Sequence, residues 1–194
     1  MYQLYGSAKT RAMRVIWLLH ELGQPFEHFP EAPRSEKVRA LHVSGKVPVL
    51  VVDGTILTDS TAILTYLADK HGDFTYPAGS LDRARQDGLT QMLLDEFDAV
   101  LWTASRHSFI LPPDQRLPAI KDSLRWEFAN HTKRLSDRLT GPFLMGQRMT
   151  LPDIILTHCL SWAKAAKFDI TEPALLAYLD RMCARPAYVS AAAT

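Results

Sequence analysis

From residue 5 to residue 15 the chain reads Tyr5-Gly6-Ser7-Ala8-Lys9-Thr10-Arg11-Ala12-Met13-Arg14-Val15, with the hydroxyls of Ser7 and Thr10 and the three cations Lys9, Arg11 and Arg14 at the start of an apolar run. Groups of this kind stabilise negative charge. A hydroxyl hydrogen-bonds more strongly to an ionised acceptor, and the first turn of a helix adds unpaired N–H groups and the positive end of its dipole. For a thiol of ordinary pKa, roughly 8.5, a downward shift of about 2 units requires roughly 2.7 kcal/mol of preferential stabilisation of the thiolate. The same hydroxyls can instead simply cap the helix, and Lys9, Arg11 and Arg14 can form a solvated face.

A second group of candidates lies between residues 42 and 60: His42-Val43-Ser44-Gly45-Lys46-Val47-Pro48, the apolar run Val49-Leu50-Val51-Val52, then Asp53-Gly54-Thr55-Ile56-Leu57-Thr58-Asp59-Ser60. Pro48 has no N–H to give to a ladder, so it belongs where a strand begins. Asp53-Gly54 is a two-residue hairpin turn. Thr58, Asp59 and Ser60 offer capping side chains to a helix through Ile63, Leu64 and Leu67, and such a helix start is an anion site in its own right.

The elements that must position these groups follow from periodicity. Residues 2 to 5 read as a strand, residues 11 to 22 as an amphipathic helix stopped by Gly23, and residues 24 to 29 as a second strand, a βαβ unit with parallel strands. A short helix over 35 to 41 precedes the hairpin and a third helix. Residues 73 to 82 have turn composition and serve as a linker. Beyond it strand signals vanish, and helices are expected over 83 to 108, 114 to 139, 151 to 167 and 173 to 184. Thr150-Leu151-Pro152-Asp153 reads as a capping box at the start of the third of these, with Met149 placed to staple against Ile154.

Bulk properties narrow the function classes. The 194 residues are 47% apolar and 22% charged, an ordinary globular composition, and the net charge of +1 creates no field to recruit nucleic acid or membrane. No basic leader or long apolar run is present, which gives a cytoplasmic expectation. Cys159 and Cys183 form no Cys-x-x-Cys pair, and the seven histidines show no metal-ligand spacing. Neither a phosphate-binding glycine loop nor a Ser-His-Asp arrangement is legible, so no metal or nucleotide cofactor is expected.

The stretch Gly45-Lys46-Val47-Pro48-Val49-Leu50, the hairpin and the pair Asp59-Ser60 resemble the glutathione-binding region of the cytosolic glutathione transferase family, in its Ser/Thr-type, bacterial or fungal-like form. The order of elements is similar to that family along essentially the whole chain. The resemblance implies an α/β thioredoxin-like N-terminal domain over residues 1 to 75 and an all-α C-terminal domain over 83 to 194. It also implies glutathione as co-substrate and a cis Pro48. Val47 would pair its backbone with the cysteinyl unit of glutathione, Asp59 and Ser60 would hold the γ-glutamyl end, and His42 and Lys46 would lie toward the ligand's other groups. Counting back from Arg14-Val15, the activating position falls at Lys9-Thr10. Thr10 is therefore the first candidate for thiol activation, Ser7 the second and Tyr5 the third, with Arg11 adding to the field.

The resemblance further implies an electrophile pocket between the domains, for which Trp102, Arg106, His107 and Phe109 are candidates; Trp102 can equally be plain core. The expected activity is conjugation of glutathione to small apolar electrophiles, a detoxification chemistry carried out by a homodimer. The alternatives are a non-catalytic binding module of the same fold and a glutathione-dependent disulfide or peroxide reductase.

Overall fold

Strand β1, Tyr2–Tyr5, buries Tyr2 and Leu4 and leaves Gln3 and Tyr5 half-exposed, the alternation that two-residue periodicity demands. The computed structural model describes residues 1–194. The chain divides into one unit made of Met1–Pro77 and Cys183–Thr194, and a second made of Ala78–Met182.

In the first unit, β1 leads through a loop to α1, Ala12–Glu21, in which every residue from 12 to 19 is buried. The chain returns along β2, Phe26–Phe29, parallel to β1, then forms α2, Glu36–Leu41, whose N-cap Ser35 accepts from the Val38 N–H. Strands β3, Val49–Val52, and β4, Thr55–Thr58, form the expected hairpin. Asp53 and Gly54 both carry positive φ, 50° and 83°, as a turn matched to the strand twist requires. Helix α3, Ser60–His71, closes this part. The sheet order is β2-β1-β3-β4, with β3 antiparallel to both neighbours.

The last residues depart from the sequence expectation, which put everything after residue 83 in the helical domain. Residues Pro186–Ala192 form a further helix, numbered α9 in chain order, which packs on α1 within the first unit. Tyr188 meets the Trp17 ring edge-on at 5.0 Å. Arg185 grips the Glu21 carboxylate at 2.6 and 2.8 Å, and Glu21 also accepts from Trp17 Nε1. The segment Pro186-Ala187-Tyr188-Val189-Ser190-Ala191-Ala192 has no apolar stripe; contacts far back in sequence are what define it as a helix.

The second unit is helical. Helix α4, Leu81–Leu93, starts at Ser80, whose hydroxyl accepts from Arg83 N. It runs through a π-helical turn, Leu94–Asp98, into α5, Ala99–Ser105, and a second π turn, Arg106–Ile110. After a 3₁₀ turn, Pro113–Gln115, come α6, Ile120–Ser136, α7, Leu151–Ala165, and α8, Pro173–Cys183. Helix α6 begins six residues later than the expected 114, because Pro118 disfavours helical geometry at Leu117. The capping box at Thr150 and Asp153 is formed, and Met149 and Ile154 are both buried beside it.

Asp153 is the polar centre of this unit. Its wholly buried carboxylate accepts from Leu144 N, Thr150 N, the Thr150 hydroxyl and Tyr178 OH, at 2.8 to 3.2 Å. Burial pushes this carboxyl above its ordinary value, and the four donors pull it part of the way back. Burial, and then the neighbouring Asp153, pushes the Tyr178 hydroxyl well up. No helix of the chain is long and apolar enough to cross a membrane.

Candidate functional site

Strand register brings the sequence candidates of the first unit together. Tyr5, the last residue of β1, pairs with Val49, the first of β3, and Val49 pairs with Thr58, the last of β4. One row across the sheet therefore ends three segments at once. Beyond that row lie the loop carrying Ser7 and Thr10, the approach carrying Val47 and Pro48, and the turn carrying Asp59 and Ser60. The Val47–Pro48 peptide bond is cis, in agreement with the resemblance.

Gly6 sets the distance between two of these segments. Its φ is +133°, and a Cβ there would sit 2.8 Å from Ala12 Cβ and 3.0 Å from Val47 Cβ. Only glycine lets the loop after β1 lie this close to Val47 and to the first residue of α1. The Gly6 carbonyl is further held by His28 Nε2 at 2.8 Å. Sequence reasoning gave this glycine no role, and its only signal was its place between a strand end and two hydroxyls.

In that loop, Thr10 Oγ1 donates to the Ser7 carbonyl at 2.7 Å and accepts from Ala12 N at 3.2 Å. The Thr10 proton is thus committed inside the loop. Ser7 Oγ accepts from Lys9 N at 3.2 Å, and its own proton goes to no acceptor in the chain. Tyr5 stacks on Phe29 at 4.7 Å between centroids, as part of the sheet face. Arg11 stands half-exposed at the start of α1, and Lys9 is exposed.

Arg14 overturns the solvated-face expectation for this cation group, because it is completely buried. It lies one turn ahead of Leu18, on the stripe that α1 turns inward, and its Nη1 donates to Ser60 Oγ at 3.4 Å. Ser60 is itself only 3% exposed. A cation within an apolar helix was visible in the sequence, but its burial was not.

Asp59 caps α3, its Oδ1 accepting from Thr61 N at 2.8 Å and Ala62 N at 3.1 Å. Its φ of 70° with ψ of 125° is a sparsely populated conformation for a residue with a side chain. Such strain, of order 1–3 kcal/mol, persists only where surrounding contacts enforce it, and it concentrates at functional sites. His42 Nδ1 lies 2.7 Å from Ser44 Oγ, which also accepts from Lys46 N, so His42 and Lys46 belong to one turn ahead of Val47.

The second unit separates the four residues suggested for the electrophile. Phe109, 65% exposed, lines a cleft of about 230 Å³ with Trp162, Phe168 and other residues of that unit. Arg106 Nη2 instead donates to Thr103 Oγ1, and His107 Nδ1 accepts from Leu117 N. Trp102 is half-buried and is not part of the cleft wall. The reason is the π turn, closed by Leu111 N to the Arg106 carbonyl at 3.0 Å. An i→i+5 turn breaks the α-helical stripe on which positions 102, 106 and 109 would have coincided. No group of three or more His, Cys, Asp or Glu side chains able to hold a metal is assembled anywhere in the chain.

Comparison with known proteins agrees with this geometry. Residues 2–75 match the family model "Glutathione S-transferase, N-terminal domain" and residues 104–186 match "Glutathione S-transferase, C-terminal domain". The chain is 27% identical over 194 residues to maleylacetoacetate isomerase of Rhizobium meliloti, an alignment covering 95% of this chain and 90% of that one. Glutathione S-transferase alpha I of Oryctolagus cuniculus is 28% identical over 165 residues, 80% of this chain and 70% of the other. Among solved structures, a sphingomonad glutathione S-transferase complexed with glutathione is 28% identical with a TM-score of 0.85, covering 98% of this chain and 97% of that one. With both family models matched in order on a sheet and helices of the corresponding kind, the chain belongs to the glutathione S-transferase family of enzymes.

Proposed function

We propose that this chain binds glutathione at the sheet edge where Val47, Pro48, Asp59 and Ser60 converge, and conjugates its thiolate to small electrophiles. The observation that carries the reading is the Tyr5–Val49–Thr58 row, which delivers a hydroxyl loop, a strand approach and a capped helix start to one place. The N–H and C=O of Val47 would pair with the cysteinyl unit as an added strand. Asp59 and Ser60 would take the γ-glutamyl end, with His42 and Lys46 toward the rest of the ligand.

Within that reading the thiol is activated from the loop after β1. Thr10, the first candidate by counting, must give up its 2.7 Å bond to the Ser7 carbonyl before it can donate to sulfur. That loss is about 0.5–1.5 kcal/mol. Ser7 has a proton to donate without such a loss, so we assign it the thiolate hydrogen bond, with Thr10 holding the loop and Arg11 adding positive potential. The thiol proton leaves to water. The sulfur then forms a bond to the electrophilic carbon, and any displaced group departs with its electron pair.

Titration of the bound thiol by its ultraviolet absorbance tests the assignment. Ser7→Ala should raise the apparent pKa and lower turnover about 10- to 100-fold, a loss of about 1.4–2.7 kcal/mol felt only where charge resides on sulfur. Thr10→Val should chiefly reduce stability. The reverse pattern returns the role to Thr10. Ser60→Ala should weaken calorimetric glutathione binding by roughly 1.5–3 kcal/mol, and unchanged affinity would place the ligand elsewhere.

The isomerase relative, which aligns over nearly the whole chain, motivates a second assay for glutathione-dependent isomerisation. Turnover there without conjugation of a chlorinated aromatic would replace the reaction and keep the site. A cytoplasmic homodimer clearing electrophiles completes the proposal. A concentration-independent monomer mass in sedimentation would remove the dimer.

A further inference from the structure

The hydrogen bonds around Gly6 combine a strand ladder with a side chain that replaces one of its rungs. The Gly6 N–H donates to the Phe29 carbonyl at 2.9 Å, which carries the parallel pairing of β1 and β2 one step past Tyr5 and Phe29. The next rung of such a ladder would bring the Glu31 N–H to the Gly6 carbonyl. Pro30 turns the chain there, and the Glu31 N–H goes back to the Phe29 carbonyl at 2.7 Å instead. His28 Nε2 takes its place, 2.8 Å from the Gly6 carbonyl oxygen. A carbonyl only accepts, so Nε2 carries the proton of this bond whether the ring is neutral or charged.

That carbonyl belongs to the peptide unit joining Gly6 to Ser7, the residue assigned the thiolate hydrogen bond. Glycine lets a peptide plane turn over at little steric cost. The Ser7 N–H, at the other end of the plane, donates to no group in the chain, so the bond from His28 is the one that fixes it. The imidazole is itself held by packing. His28 pairs in register with the fully buried Leu4, and its ring centre lies 6.3 Å from that of Phe26, which meets His20 of α1 edge-on at 5.5 Å. We propose that His28 is a positioning residue for thiol activation: through the Gly6–Ser7 peptide it sets the direction from which the Ser7 hydroxyl meets the glutathione sulfur. This role rests on the assignment of Ser7 made above, and every group in it belongs to the first unit.

His28→Gln and His28→Asn form the test. The glutamine amide nitrogen stands as many bonds from Cα as Nε2 does and can reach the carbonyl, whereas the asparagine nitrogen falls one bond short. The readouts are ultraviolet titration of the bound glutathione thiol, kcat with a chlorinated aromatic, and calorimetric affinity for S-methylglutathione, which has no thiol to ionise. His28→Asn should raise the apparent pKa of the bound thiol and lower kcat near neutrality roughly tenfold, the scale of a misplaced catalytic group, while S-methylglutathione binds as before. His28→Gln should restore most of both. In a Ser7→Ala background, His28→Asn should move neither quantity further, because the hydroxyl it positions is gone. A thiol titration unmoved by His28→Asn, equal behaviour of the two variants, a parallel loss of S-methylglutathione affinity, or effects that add to those of Ser7→Ala would each overturn the role of His28 and leave the glutathione site in place. A titration unmoved by Ser7→Ala would overturn the Ser7 assignment and the role of His28 with it, and no binding of glutathione by the parent protein would remove the site itself.

Discussion

Arg14 and Ser60, 46 positions apart, are both buried and joined by a 3.4 Å bond from Arg14 Nη1 to Ser60 Oγ. The bond ties the inward face of α1 to the first residue of α3. A charged donor thereby orients the hydroxyl assigned to the ligand, and the same guanidinium contributes positive potential where an anionic group would dock.

A double-mutant cycle measures this link. Arg14→Met and Ser60→Ala should couple by about 0.5–1.5 kcal/mol in urea unfolding, below the usual range for charged hydrogen bonds because the distance is long. Additivity within about 0.3 kcal/mol would show that the two side chains are neighbours without energetic connection.

Asp59 combines a cap with a strained backbone, and two substitutions separate these. Asp59→Ala loses the cap of Thr61 N and Ala62 N and keeps the positive φ, so α3 should be destabilised by about 1 kcal/mol or more. Asp59→Gly loses the same cap but tolerates the conformation, and should melt at a higher temperature than the alanine variant. The opposite ranking would mean that the φ of 70° carries no cost.

The pH dependence of stability should carry the signature of Asp153. Its folded value lies above the ordinary 3.8 because burial outweighs its donors, so the folded chain holds this proton more tightly than the unfolded chain. The contribution is fullest below 3.8 and is lost as pH rises through the folded value. Asp153→Asn cannot titrate. The stability of the parent relative to this variant should therefore fall as pH is raised from below 3.8 toward neutrality, and a difference that grows instead would contradict the direction assigned.

Arg185 is expected to anchor α9. Replacing it with Met leaves the Glu21 carboxylate, 8% exposed, with the Trp17 indole N–H, 2.8 Å away, as the neutral donor to it. A loss of about 2–4 kcal/mol is expected, with faster amide exchange over residues 186 to 192. Unchanged exchange would show that the Tyr188–Trp17 packing alone holds the helix.

Local chemistry made much of this protein legible in its sequence. Pro48 before Val49, the Asp53-Gly54 turn, the cap at Asp59 and the box at Thr150 and Asp153 each act within a few residues, so residue type and spacing suffice to recognise them. The two-residue and 3.6-residue periods of the first 71 residues follow the same logic. Much of what tertiary structure alone decided involves partners far apart in the chain. The burial of Arg14 depends on α3, the role of Gly6 on the approach of Val47, and α9 on Trp17 and Glu21. The commitment of the Thr10 proton to Ser7 is a matter of torsion angles within one loop. The separation of Trp102, Arg106, His107 and Phe109 comes from a turn with five-residue hydrogen bonding. For Arg14, Gly6 and α9, residue type does not encode the geometry, because the free energy that selects it comes from packing between segments rather than from either segment alone.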